Sequence, residues 1–195
     1  MTTTGTPPAP ALSWPHCALG ASAADPVGCQ GIKVAPYEAC LFHQTDPDRN
    51  AYLAGLTPGS DIDHRGTTFT GPLLNALLDA LRDPATGHPR LASAQFDSAT
   101  FQDTASFEWA TFEDAAQFGS ATFQDIAWFN SATFQDTASF DWATFEQAAR
   151  FGSATFANDD ATLTSANAWW LLAGRKGRSR VQAWRLLPSS CRAAC

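Results

Sequence analysis

No stretch of the chain reaches the roughly 20 consecutive apolar residues that a bilayer span requires, and the apolar patch AWWLLAG at 168–174 is far shorter than that. The opening MTTTGTPPAP has neither the positive segment nor the apolar segment of a secretory leader, so a cytoplasmic protein with a disordered tail over 1–12 is expected. Basic residues are almost missing from the middle: residues 92–156 hold nine acids and one base, against eight and five in 1–91 and two and six in 157–195. Such a block excludes direct binding to a nucleic-acid backbone, which needs Lys and Arg to displace counterions. A charged partner is instead a protein with a basic surface. Long aliphatic runs are also lacking, and one Met stands beside 14 Phe and 7 Trp, so aromatic stacking has to replace the usual leucine core. Catalytic signatures are absent too: there is no G-x-S-x-G, no H-E-x-x-H and no phosphate-binding glycine loop. Asp63-His64-Arg65 is the only close trio of acid, base and cation, but neighbours on an extended chain point to opposite faces. It reads as a structural turn, and no enzymatic activity is expected.

What is present is a period. Phenylalanines fall at 96, 101, 107, 112, 118, 123, 129, 134, 140, 145, 151 and 156, with spacings that alternate five and six. From Phe101 onward each is preceded two residues earlier by Ala. A two-residue offset places Ala and Phe on one face of an extended strand, with the intervening Thr or Ser on the other. The residues between units (Gln-Asp, Gly-Ser, Asn-Ser) bend the backbone. A helical supercoil would need apolar residues three and four apart, and the Thr, Ser, Asp and Gly filler forms helices poorly. Residues 101–123 and 134–156 differ at only Glu108/Asp141, Asp114/Gln147 and Gln117/Arg150, which marks a duplication that carries Phe101 onto Phe134.

Units such as A-T-F-Q-D and A-S-F-E-W resemble those of the pentapeptide-repeat family. The resemblance implies a mainly β fold over 91–157, a short right-handed quadrilateral β-helix with four units per coil and Ala and Phe pointing inward. Here alternate units carry an extra residue (Thr104, Ala115, Ile126, Thr137, Ala148), so a coil is two residues longer than four plain units and two opposite corners should bulge. Phe101, Phe123 and Phe145 then stack in one column, Phe112, Phe134 and Phe156 in the opposite one. The duplication offset, from Phe101 to Phe134, equals one and a half coils, which puts Trp109 and Trp142 on opposite faces.

A stacked array needs its last layer covered. Residues 13–90 are read as a small Cys/His-containing helical N-terminal cap, with helical signals over 46–57 and 71–82 and a buried stripe of Leu74, Leu77, Leu78 and Leu81. Its leader, with W-P-H-C, C-L-F-H and D-I-D-H-R-G-T, resembles that of pentapeptide-repeat proteins of GC-rich soil bacteria. Within it Cys17, Cys29, Cys40 and His43 supply three thiolates and an imidazole, the donor set of a closed structural zinc site; His16 is an alternative ligand, and unligated buried thiols are the plain alternative. Residues 158–195 are read as a basic tail, either a terminal helix around 168–172 or a frameshift product, the latter favoured.

Two functions fit this reading. One is a scaffold or protein-interaction module that presents acidic faces, with Asp103, Asp114, Asp125 and Asp136 at the corners as the interaction surface. The other comes from the resemblance, since some pentapeptide-repeat proteins imitate DNA and bind or protect DNA gyrase. The acidity suits a mimic, but a height of about 15 Å spans only four or five base pairs, so a mimic of this size would have to be a homodimer or a truncated form.

Overall fold

The computed structural model of the chain describes residues 12–157; the N-terminal stretch before Leu12 and the basic segment 158–195 lie outside the described residues. The first elements are α1 (Asp46–Ala54), β1 (Ser60–Asp63), β2 (Thr68–Phe69), α2 (Gly71–Ala80) and β3 (Arg90–Gln95). Eleven two-residue strands follow, from β4 (Thr100–Phe101) to β14 (Thr155–Phe156). All the strand pairs are parallel, and each strand of a coil pairs with the equivalent strand of the next, as in Thr100↔Thr122↔Thr144 and Thr111↔Thr133↔Thr155. The result is a β-solenoid of about three turns with four sides.

The sides are defined by what stacks inside them. Phe69, Phe101, Phe123 and Phe145 line the first; Phe107, Phe129 and Phe151 the second; Leu91, Phe112, Phe134 and Phe156 the third; and Phe96, Phe118 and Phe140 the fourth. Within a column the rings lie 4.6 to 5.3 Å apart with planes within 14° of parallel. That spacing is the strand separation of a sheet, so the backbone ladder dictates the stacking. Between columns the rings meet edge to face, as Phe118 does with Phe107 at 5.4 Å and 77°, the other favoured arrangement of aromatic quadrupoles. Alanine fills the space beside the rings of the regular coils: Ala99, Ala110, Ala116, Ala121, Ala127 and Ala132 are fully buried.

The alternation of five and six residues produces two kinds of corner. At the five-residue corners the third residue of a four-residue turn has a left-handed backbone, with φ of 56° to 62° at Ser98, Trp109, Ser120, Ser131, Trp142 and Ser153. The turn closes by an N–H from the next Ala to the preceding Phe carbonyl, for example Ala121 to Phe118 at 3.1 Å, the pattern of a type II turn. The six-residue corners contain no left-handed residue; the extra residue lets the chain turn within ordinary backbone angles.

The ladder does not begin at Leu91. Below the first A-x-F units, Asp63 pairs with Gln95 and Thr68 with Thr100, so His64 lies under Phe96, 6.4 Å away, and Phe69 under Phe101. Ile62-Asp63-His64, Thr67-Thr68-Phe69 and Pro89-Arg90-Leu91 are thus degenerate units of an initial coil. Its second side is missing. The path from Phe69 to Leu91 is twice as long as the corresponding path from Phe101 to Phe112 in the next coil, and the detour contains α2, which packs against β5 (Ala105–Ser106). The cap helix is therefore inserted into the first coil rather than stacked ahead of it. Thr70 caps α2 by accepting from the Leu73 N–H, Pro72 starts it, and Leu74, Leu77, Leu78 and Leu81 are buried as their spacing predicts. The Asp103 carboxylate, one coil up, accepts from the Gly71 N–H at 2.8 Å and ties the helix to the solenoid.

Candidate functional site

Two sets of residues carry candidate chemistry, one in the N-terminal cap and one on the solenoid corners. In the cap, residues 16–19 and 29–33 run antiparallel: Cys17 N donates to the Gly31 carbonyl, Ala18 N to Cys29, and Cys29 N to Leu19, at 2.8 to 3.0 Å. This ribbon brings Cys17 and Cys29, well separated in sequence, to one end. Cys40 and His43 arrive from a tight turn in which the N–H groups of His43 and Gln44 both donate to the Cys40 carbonyl. Arg49 on α1 pins that turn, donating to the carbonyls of Leu41, Phe42 and Gln44 at 3.1, 3.2 and 2.9 Å.

The four donor atoms lie within 4.8 Å of one another, close enough to hold a metal ion. Cys29 Sγ and Cys40 Sγ are 3.7 Å apart, and His43 Nδ1 is 3.5 Å from Cys40 Sγ and 3.6 Å from Cys17 Sγ. All three cysteines are free thiols. Burial pushes the Cys40 thiol up to about 12, helped by the neighbouring Cys29 and Cys17, and burial also raises Cys29, with hydrogen bonds from the Gly31 N–H and Cys40 working against it. Burial opposes ionisation of Cys17 as well, but N–H groups of Cys40 and Leu19 point at its sulfur and bring it below the ordinary thiol value. A divalent cation among these sulfurs would reverse that balance, since a coordinated thiol is deprotonated outright. His16, the alternative ligand, is not in the converging group.

Sequence reasoning found this quartet but missed its supports. Gly31 is one: a Cβ there would come within 2.7 Å of the Cys40 Cβ and 2.9 Å of its sulfur, so only glycine lets the ribbon meet the turn. Arg49 is the other. The cap joins the solenoid through Ile32 N, which donates to the Arg65 carbonyl at 2.8 Å, and through Trp14, whose ring carries the Arg65 guanidinium at 5.2 Å.

Asp103, Asp114, Asp125 and Asp136 do not form one surface. Residues a whole coil apart share a corner and residues half a coil apart lie opposite, so Asp103 and Asp125 occupy the six-residue corner between the first and second sides, and Asp114 and Asp136 the opposite one. Their roles differ. Asp103 anchors α2, Asp125 accepts from the Thr104 hydroxyl at 2.7 Å, which with the Ile126 N–H lowers its pKa, and Asp136 accepts from Thr137. The five-residue corners contain a device the sequence did not announce: Asp97 and Asn130, one and a half coils apart, each accept from the N–H of a glycine one coil above, Gly119 at 3.0 Å and Gly152 at 2.8 Å. A Cβ on either glycine would meet that side-chain oxygen at 2.6 or 2.8 Å. Trp109 and Trp142, related by the same offset, sit at opposite corners and are the most exposed aromatic rings described, at 55% and 67%.

Among the described residues no helix is long and apolar enough to cross a membrane. No curated protein and no solved structure matches the chain. Residues 118–167 match the family model described as pentapeptide repeats (9 copies). That match covers the upper coils of a solenoid whose lower coils follow the same register, and it supports a pentapeptide-repeat protein.

Proposed function

We propose that the chain is a non-catalytic scaffold whose acidic corners dock a partner protein with a basic surface. The observation behind this reading is the division of labour along each unit. The inward positions of the upper coils are taken by Phe and Ala packed without polar groups, so recognition falls to the outward ones. These are Thr100, Thr122 and Thr144 on the first side, Thr111 and Thr133 on the third, and carboxylates at the corners. Short strands locked by stacked rings make such a surface rigid, and a rigid surface binds without an ordering cost. The test is charge removal at one corner at a time. Asp114→Asn with Asp136→Asn should leave the circular dichroism spectrum unchanged and weaken a basic partner more at low salt, where the Debye length is long. Binding that ignores both charge and salt would refute it.

The cap, in the same proposal, is held by a structural zinc on Cys17, Cys29, Cys40 and His43. Two sulfurs at about 2.3 Å from one tetrahedral ion lie about 3.8 Å apart, and a sulfur and an imidazole nitrogen about 3.5 Å apart. The separations of 3.7, 3.5 and 3.6 Å agree with those edges. Four protein donors close the coordination sphere, so the ion's contribution is to hold the ribbon, the turn and α1 together. Protein purified without added metal should contain about one zinc per chain, lost in Cys40→Ser; sub-stoichiometric zinc with Cys17, Cys29 and Cys40 alkylated under native conditions would eliminate the site.

A further inference from the structure

The detour through α2 leaves a groove of about 330 Å³ between the helix and the second side of the solenoid, lined by Asp79, Arg82, His88, Ser106, Glu108 and Trp109 among others. One wall is aromatic. The Trp109 indole stacks on the His88 imidazole at 5.4 Å and 16° and remains more than half exposed. The position itself does not call for tryptophan: Ser98, Ser120, Ser131 and Ser153 occupy the equivalent left-handed corner elsewhere. The other walls carry charge of uneven sign. Arg82 is neutralised inside the groove by Asp79 at 2.6 Å and also donates to the Gly87 carbonyl. Glu108 accepts only from the Asn130 amide at 3.0 Å and has no cation partner among the described residues. An exposed aromatic face beside an uncompensated carboxylate is the combination that receives a planar cation on an apolar stem.

We infer that this groove binds an arginine side chain of a partner protein, with the guanidinium paired to Glu108 and its flat face on Trp109. The inference rests on the scaffold reading and narrows it to one site and one residue type. The duplication supplies an internal control, because Trp142 stands in the same local sequence, S-F-[D/E]-W-A-T-F-E, at the opposite corner, and is not among the residues lining this groove.

The experiment uses the full-length protein labelled with ¹⁵N and the peptide acetyl-Gly-Arg-Gly-amide, with acetyl-Gly-Glu-Gly-amide as the reversed charge. The arginine peptide should shift the Trp109 indole N–H resonance saturably, and the glutamate peptide should not. Trp109→Ser, which restores the serine found at four equivalent corners, and Glu108→Gln should each weaken binding about threefold or more, while Trp142→Ser should leave it unchanged. Equal response to both peptides, binding unaltered in Trp109→Ser, or no saturable shift would overturn the assignment. Those outcomes leave the Asp114 and Asp136 corner untouched, so a failure here is distinguishable from a failure of the scaffold reading, which that corner tests separately.

Discussion

Replacing Phe118 with alanine tests the column architecture at its centre. The ring is fully buried, stacked between Phe96 at 5.2 Å and Phe140 at 4.9 Å, and met edge-on by Phe107 at 5.4 Å and Phe129 at 5.6 Å. Removing it deletes two stacked pairs and opens a hole walled by neighbours that the strand ladders hold in place, so little collapse can follow. Phe→Ala at such sites costs about 3–5 kcal/mol. Area gives a similar figure: a buried aromatic removes roughly 200 Å² from water, worth about 5 kcal/mol at about 25 cal/mol per Å². Against a usual domain stability of about 5–15 kcal/mol this is a large share. Phe151 provides the comparison, since it is only half-buried although it stacks on Phe129 at 4.8 Å. Phe151→Ala should cost about half as much, and Phe118→Leu, which nearly conserves volume, less than about 1.5 kcal/mol. Urea unfolding followed by circular dichroism, at fixed metal content, measures all three. Equal losses for Phe118→Ala and Phe151→Ala, or a loss below about 1 kcal/mol at Phe118, would refute the stacked-column account.

Three further outcomes are expected. Burial holds the His64 imidazole down to about 4 from 6.5, and a depressed histidine contributes stability that is complete above the unfolded value and is lost as pH falls from about 6.5 towards 4. The loss should be about 3 kcal/mol, seen as the falling urea midpoint of the wild type relative to His64→Gln; parallel pH profiles would contradict it. Ser120 sits at φ 56°, so Ser120→Gly should stabilise by about 0.5–1 kcal/mol, measured as a raised melting temperature, whereas glycine at Thr122, inside a strand, should destabilise. Asp103→Ala frees the Gly71 N–H at the start of α2 and should cost about 1 kcal/mol, while Asp125→Ala, which frees the Thr104 hydroxyl rather than a helix N-terminal N–H, should cost less in the same unfolding assay.

The coils from Phe96 upward were legible because one side-chain pair recurs at fixed offsets and the turn residues agree with it. The initial coil was not. Its Phe positions hold His64, Phe69 and Leu91 and its Ala positions Ile62, Thr67 and Pro89, and the inserted helix breaks the regular step from side to side. The five-residue gaps from His64 to Phe69 and from Leu91 to Phe96 were the remaining signal. The buried His64, read as part of a turn, takes the inward position beneath Phe96, tilted by 36° at 6.4 Å, with its Nε2 3.1 Å from the Tyr52 hydroxyl. The donor quartet could be named from residue types, but its assembly depends on the Cys17–Gly31 ribbon and on Arg49, neither of which has a spacing signature. The corner aspartates were legible from their half-coil spacing, and the structure distributes them over two opposite corners, where Asp103 anchors α2 and Asp125 takes the Thr104 hydroxyl.

The alternation of tight and bulged corners also limits how such a chain changes length. Losing or gaining a single unit would put a left-handed serine where a bulge is needed, and would move every later ring into a neighbouring column. Two units, one short and one long, make the smallest step that preserves both corner type and stacking. Each such step adds half a turn, so whatever the top of the post presents swings to the far side while rising by about 2.4 Å, half a strand spacing. Growth by a whole coil keeps the upper end facing as before; growth by one and a half, the step recorded between Phe101–Phe123 and Phe134–Phe156, turns it round. A lineage of these proteins would therefore vary the direction in which its surface residues point as readily as its height, with the interior unchanged.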